Sequence, residues 1–162
     1  MAKEKTLVER GKFKNEINAA LYKNEDIREL LLGDTTGMSS SEIRKEFKQY
    51  VKSHLFIDDT LTEARTFIFY DVVFPFIETN IKNCRIMMYL ICARSELEGY
   101  IKEGYYGDRI DILAQMVEDT LINNEDTANS FGIGKLNLDS VDVYNSHRYY
   151  GCVLTFNVPA FR

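Results

Sequence analysis

The chain has 162 residues, a formal net charge of −5 and a hydrophobic content of 45%, which together are typical of one globular domain. An acidic chain lacks the basic face that holds a phosphate backbone, so nucleic-acid binding is excluded as its main task. Its longest apolar stretch, Ile86–Ala93, is too short to cross a bilayer, and its first residues do not form a signal peptide. We therefore expect a protein made in the cytoplasm, with no membrane partner.

Three cysteines, Cys84, Cys92 and Cys152, lie in apolar runs. An odd number without close paired spacing indicates neither a disulfide framework nor a zinc site. The sequence therefore predicts buried free thiols in a reducing compartment.

The first part of the chain, residues 1–57, has the periodicity of three helices. Asn24 and Gly33 are placed to cap the two ends of a short second helix, and Ser39 with Glu42 forms the capping box of a third. The apolar face of the first helix is formed by Leu7, Phe13, Ile17, Ala20 and Leu21. That of the third helix is formed by Ile43, Phe47, Tyr50 and Val51, and an extension of the helix would add Leu55.

The pattern then changes to that of strands. Two segments, Glu63–Phe74 and Ile81–Arg94, are rich in β-branched and aromatic residues and are apolar on both alternating faces. Such segments are typical of covered strands inside a sheet. The short connection Pro75–Asn80 favours a turn, so the two segments are predicted to form a hairpin.

A loop from Gly99 to Gly107 leads into a predicted helix that Asp108 and Asp111 would open as cap and first-turn acid. A second predicted hairpin follows and ends at Pro159. In its first strand, alternation places Leu136, Leu138 and Ser140 on one face and Val141 and Val143 on the other.

These elements define an α+β fold: a four-stranded, mainly antiparallel sheet of two hairpins with one crossing helix, plus an N-terminal helical region. The predicted division is residues 1–57 and residues 58–162, packed as one compact domain. The central strands are apolar on both sides, so the second face of the sheet needs a cover. Either the N-terminal helices or a neighbouring subunit would supply it.

Groups that carry chemistry do not converge in this pattern. His54 and His147 have no partner at ligand or triad spacing and are predicted to be surface residues. The segment 131–135 lacks the spacing of a phosphate loop. The predicted elements also do not bring the acidic pairs of the sequence together as metal ligands. These pairs are Asp58–Asp59, Asp108/Asp111 and Asp139/Asp142. We therefore predict a protein that is not an enzyme, with no catalytic residue, cofactor or metal site.

Six tyrosines fall in or beside the predicted loops. A tyrosine offers a large apolar body with one polar tip, which suits a protein interface, although partial burial at the end of a sheet explains it equally well. The candidate interface residues are Tyr100, Tyr105, Tyr106, Tyr144, Tyr149 and Tyr150.

Three segments of the C-terminal half, Gly107–Ala114, Phe131–Leu136 and Tyr149–Phe156, resemble small structural proteins of tailed bacteriophages. The class is that of the neck and tail-terminator proteins, and the order of elements over residues 58–158 is similar to theirs. The resemblance implies an α+β virion protein that forms a ring with copies of itself, usually a hexamer. Such rings cap the tail tube and join the tail to the head, so tail-tube and neck or connector proteins are implied partners, and DNA passes the lumen without specific binding.

Two other functions compete with this one. A small metal-dependent nuclease would use Asp71, Glu78 and Lys82, although their spacing differs from that of the usual nuclease motif. A non-enzymatic regulatory binding module would use the N-terminal helices to hold its partner.

Overall fold

Four helices and five strands make up the described part of the chain, which in this computed structural model is residues 6–55, 63–77, 81–123 and 136–161. The helices are α1 (Thr6–Lys23), α2 (Glu25–Leu32), α3 (Ser40–Tyr50) and α4 (Arg109–Leu121). The strands are β1 (Val51–Lys52), β2 (Thr66–Ile77), β3 (Ile81–Ala93), β4 (Asn137–Asn145) and β5 (Tyr149–Phe161).

The predicted helix caps are confirmed. The Asn24 side chain accepts hydrogen bonds from the first backbone N–H groups of α2, and Gly33 ends that helix with a positive φ of 73°. Capping boxes open α3 at Ser39 and α4 at Asp108. Because each cap satisfies donors that a helix leaves free at its start, these boundaries are fixed by local sequence.

The sheet has five strands rather than the predicted four, in the order β1-β2-β3-β5-β4. The α+β class, the two hairpins and the crossing helix α4 are confirmed. The missed strand is β1, which pairs parallel to β2 while all other neighbours are antiparallel. It is two residues long and follows α3 directly, so Val51, which we expected on the buried stripe of α3, is instead the first residue of a strand.

Two β-bulges change the predicted register. Strand β2 continues through Pro75 to Ile77, with a shift between Val73 and Phe76, so the turn predicted from Pro75 is wrong at its start. Proline has no backbone N–H to donate, and a bulge is one of the few places where a strand tolerates it. The rest of that predicted turn, residues 78–80, lies outside the described residues.

The second bulge lies in β4, between Leu138 and Ser140. Beyond it Val141 pairs with Leu154 and Val143 pairs with Cys152, so both valines share a face with Leu138. This is the opposite of the predicted alternation, because one extra residue in a strand moves all later side chains to the other face.

One face of the sheet is covered by the helices of the same chain. Side chains from α1 to α4 and from β2, β3 and β5 form a single hydrophobic cluster, and the N-terminal helices therefore pack on their own sheet. Its fully buried members include Ile17, Leu21, Ile27, Ile68, Tyr70, Ile86, Met88, Leu113 and Phe156. The predicted buried thiols are confirmed for Cys84 and Cys92, whereas Cys152 is half-buried, and none of the three forms a disulfide.

The other face of the sheet carries a smaller cluster at one end. Its buried side chains are Phe67, Phe69, Ile91, Ala93 and Tyr149. Elsewhere on this face Met87, Tyr89 and Val153 are only half-buried. The described helices therefore cover one face and leave part of the second face accessible.

A glycine allows β3 and β5 to approach each other. A Cβ atom built on Gly151 would lie 1.8 Å from the carbonyl oxygen of Leu90. We expect Gly151→Ala to lower the free energy of unfolding by about 1–3 kcal/mol, because strands packed this closely must move apart. Urea unfolding checks this, with Gly11→Ala as the matched control.

Gly11 lies inside α1, and a Cβ atom there would meet no atom outside its own helix within 4 Å, so the same substitution should raise the free energy of unfolding by about 1 kcal/mol. Equal unfolding midpoints for Gly151→Ala and the wild type would contradict the close approach of the two strands.

Candidate interaction surfaces

The six candidate tyrosines do not form one surface. Three of them lie around the start of α4 and beside α2. Arg109 stacks 4.7 Å from the ring centre of Tyr100, and the Tyr105 hydroxyl lies 3.4 Å from a carboxylate oxygen of Asp26. Tyr106 is 79% exposed. Tyr106 is thus the member of this group that is freely accessible in the folded chain.

The other three tyrosines are separated by the alternation of β5. Tyr149 is a core side chain rather than a loop residue: it is 3% exposed and its hydroxyl donates to the carbonyl of Glu63 at 2.8 Å. Tyr144 packs edge-to-face on Tyr89 on the same side of the sheet, with ring centres 6.0 Å apart. Tyr150 aligns with Cys92 on the helix-covered face. Neighbouring strand residues point to opposite faces, so the six cannot act as one contact.

Asp71 joins α1 to the edge of β2. Its carboxylate accepts from Arg10 at 2.7 Å and lies 3.1 Å from the amine of Lys14. Arg10 also donates to the Val72 carbonyl at 2.7 Å. Burial alone raises the pKa of Asp71, but the hydrogen bonds from Lys14 and from the Val72 N–H, with the charges of Lys14 and Arg10, lower it below its ordinary value.

The nuclease hypothesis assigned a metal-binding role to this carboxylate. In the structure it is already engaged by two cations, while Glu78 and the side chain of Lys82 lie outside the described residues. Among the residues that the structure describes, no group of three or more His, Cys, Asp or Glu side chains is arranged to hold a metal ion. Asp71 therefore has an observed structural role as an anchor for α1.

The remaining candidates from the sequence fall into two groups. His54 and His147 are exposed, as predicted, and Asp108 with Asp111 forms a helix cap. Asp139 and Asp142 are exposed on β4. The Asp58–Asp59 pair and the segment 131–135 lie outside the described residues.

A cleft of about 870 Å³ runs between α2, the start of α3 and the start of β2. Its lining has both signs of charge, with Arg28, Arg65 and Arg109 beside several glutamates. The Arg109 guanidinium donates to the carbonyls of Glu96 and Leu30 at 3.0 and 2.9 Å. Arg109 therefore links the start of α4 to α2, and its role in the lining of the cleft is structural.

A second hollow, here called the basic groove, lies between α1 and α3 and has a volume of about 510 Å³. None of its nine lining residues is acidic, and they are Asn18, Ala19, Tyr22, Lys23, Arg28, Arg44, Phe47, Lys48 and Val51. Four of these residues are cations: Lys23, Arg28, Arg44 and Lys48. Among the described residues, Arg28 is the one of the four with a carboxylate within 4 Å, that of Glu25 at 3.9 Å. The groove is thus a local concentration of positive charge on an acidic protein.

An aromatic pair organises the cations of the basic groove. The guanidinium groups of Arg28 and Arg44 lie 5.0 and 4.7 Å from the ring centre of Tyr22. Phe47 packs edge-to-face on the same ring at 5.2 Å. Sequence reasoning missed this site, because its residues come from three helices. The one local signal was Arg44 and Lys48, which are four residues apart and so share a helix face.

Strand β4 forms the opposite edge of the sheet. Its outer side pairs with no other strand among the described residues. Val141 and Val143 are 59% and 71% exposed, and the neighbouring Asp139 and Asp142 are exposed acids. The β4 edge, residues 137–145, is therefore both apolar and acidic, whereas the basic groove includes Val51 of β1 at the other edge of the sheet.

These features define the class of protein: an α+β domain with a mixed sheet, helices on one face of the sheet, and two sheet edges that differ in charge. A protein-family model, YomW, matches residues 15–158, and the chain belongs to the YomW family. This is a protein family of the Bacillus phage SPbeta region, which indicates a phage origin. No curated protein matches the chain. In the described ranges, no helix has the length and apolar character needed to cross a membrane.

The anchor at Asp71 predicts a pH-dependent stability. Because the pKa of Asp71 is lowered on folding, its ion pairs stabilise the protein at neutral pH and lose this effect as the pH falls through the ordinary carboxyl range and then the lowered pKa. Asp71→Asn should therefore reduce the free energy of unfolding at pH 7 by on the order of 1 kcal/mol.

The measurement is urea unfolding of both proteins from pH 7 down to pH ~3, a window that spans the carboxyl pKa range. The difference between the free energies of unfolding of the two proteins should narrow below pH ~4. Glu103→Gln, at an exposed position, is the control and should leave the pH dependence of the free energy of unfolding unchanged. A difference that stays constant across the whole pH range would show that the Asp71 charge does not stabilise the fold.

Proposed function

We propose that the chain is a virion structural protein of a tailed phage, a ring-forming subunit of the tail-terminator or neck type that joins the tail to the head. Membership of a phage-region family supports the phage part of this proposal. The resemblance of the C-terminal half to neck and tail-terminator proteins supports the structural part.

The observation that carries the proposal is the difference between the two edges of the sheet. A closed ring is built from head-to-tail contacts, and each subunit must then offer two different surfaces. Here the β1 edge adjoins a basic groove and the β4 edge carries exposed valines with exposed aspartates. Two unlike surfaces on opposite edges suit a repeating contact of this kind.

The charge distribution also argues against a symmetric contact through β4. Two β4 edges brought together would place Asp139 and Asp142 near the same acids of the other copy, and like charges across a strand pair are destabilising. An exposed edge strand with apolar side chains still favours association. A contact between β4 and a different surface satisfies both conditions.

The overall acidity supports the remaining part of the proposal, which is passage of DNA. With 25 acidic and 20 basic side chains, and so a net charge of −5, the subunit has no excess of cations to neutralise phosphates. A ring of such subunits would let the phage genome move through its lumen without holding it. The partners would be copies of the chain, the end of the tail tube and neck or connector proteins.

Native mass measurement tests this function. We expect the purified protein to form a closed ring, with six copies as the expected number, in solution or on the ends of isolated tail tubes. Mass photometry gives the number of copies and negative-stain electron microscopy gives the symmetry.

A protein that stays monomeric at high concentration and does not bind the ends of tail tubes would contradict the proposal. Magnesium-dependent cleavage of DNA that Asp71→Ala abolishes, with Glu103→Ala as the active control, would favour the nuclease instead.

A further inference from the structure

We propose that the β4 edge of one copy docks into the basic groove of the next copy. This inference rests on the proposed function, because it names the two surfaces that would form the repeating contact of the ring. The occupant of the groove is thus a second copy of this chain.

Charge complementarity is the first argument. The groove gathers Lys23, Arg28, Arg44 and Lys48 with no acid in its lining. The β4 edge carries the exposed carboxylates of Asp139 and Asp142, and none of its residues from 137 to 145 is basic. Opposite charges of this kind steer partners together and set the register of a contact.

Apolar complementarity is the second argument. The apolar part of the groove lining consists of the exposed Ala19 and the buried Phe47 and Val51. Val141 and Val143 are the exposed apolar side chains of β4, and they point to the opposite face of the strand from Asp142, so β4 would enter the groove by its edge with the valines on one side and the carboxylate on the other. Contact with the groove would remove the two valines and Ala19 from water, and burial of apolar surface is the main favourable contribution in protein association.

Position in the fold is the third argument. Val51, which lines the groove, belongs to the first strand of the order β1-β2-β3-β5-β4, and β4 is the last. A contact between these edges joins the end of one sheet to the start of the next in a fixed direction. Repetition of one such contact generates a ring when its rotation closes.

Charge reversal on each surface tests the pairing. The groove variant carries Lys23→Glu, Arg44→Glu and Lys48→Glu, which leaves Arg28 as the one cation beside three acids, so its groove becomes acidic like β4. The strand variant carries Asp139→Lys and Asp142→Lys, so its strand becomes basic like the groove. Each variant alone should fail to assemble, because its two surfaces then have the same sign of charge.

An equal mixture of the two variants should assemble again. The acidic groove of one variant meets the basic strand of the other, and the two unchanged surfaces also remain complementary. Rings of alternating variants, with an even number of subunits, are the expected product. Mass photometry of each variant and of the mixture measures this, and urea unfolding of each variant confirms that it is folded.

Two control variants match these changes away from the proposed contact. Lys45→Glu lies on the exposed side of α3 and is not part of the groove lining, and Glu103→Lys lies in the exposed loop before α4. Both should assemble like the wild type. Assembly should also weaken with added salt, since exposed charges are screened.

The outcomes separate this inference from the function that it extends. If the wild type forms rings and either reversed variant forms them equally well, the pairing is wrong while the ring function stands. If the groove variant loses binding to a single-stranded oligonucleotide but still assembles, the groove binds nucleic acid and the pairing is also wrong. If the wild type never assembles, both the pairing and the ring function are overturned.

Discussion

The packing of α1 against β2 is the contact on which the rest of the structure depends. Tyr70 is fully buried, and its hydroxyl lies 2.7 Å from the side-chain oxygen of Asn18 and 2.9 Å from the carbonyl of Lys14. Next to it, Asp71 holds Arg10 and Lys14. A buried hydroxyl and a partly buried carboxylate both need partners, and α1 supplies them. The contacts of Tyr70 hold α1 over the face of the sheet, and the contacts of Asp71 hold it at the free side of β2.

The position of α1 decides which surfaces of the protein remain available. With α1 anchored on β2, residues of α1 and α3, together with Arg28 of α2 and Val51 of β1, line the basic groove. The same helix layer covers one face of the central strands, so the apolar character of that face is satisfied within the chain. The strand edges and part of the second face are left for other contacts, and the two edges differ in charge.

The basic groove and the acidic β4 edge lie in separate parts of the fold, so a protein that is acidic as a whole contains one concentrated basic region. In the groove, Arg28 and Arg44 are stacked on Tyr22, and this favourable ring contact offsets part of the repulsion between the two cations. On β4, the carboxylates stand beside exposed valines and discourage pairing between identical edges. Together these features favour a directed contact over a symmetric one, as the proposed ring requires.

The sequence by itself determined the features that depend on neighbouring residues. The caps at Asn24, Ser39 and Asp108 act within three residues, so the helix starts were predictable. The first hairpin was predictable from its two apolar runs and their short connection, and the second from its alternation. The tertiary structure alone decided the pairing of the two-residue strand β1, which is too short to have a pattern of its own. It also decided the bulge in β4 that turns Val141 and Val143 to the other face, and the meeting of Tyr22, Arg28 and Arg44 in one groove. These depend on contacts between segments distant in the chain, which no local periodicity encodes.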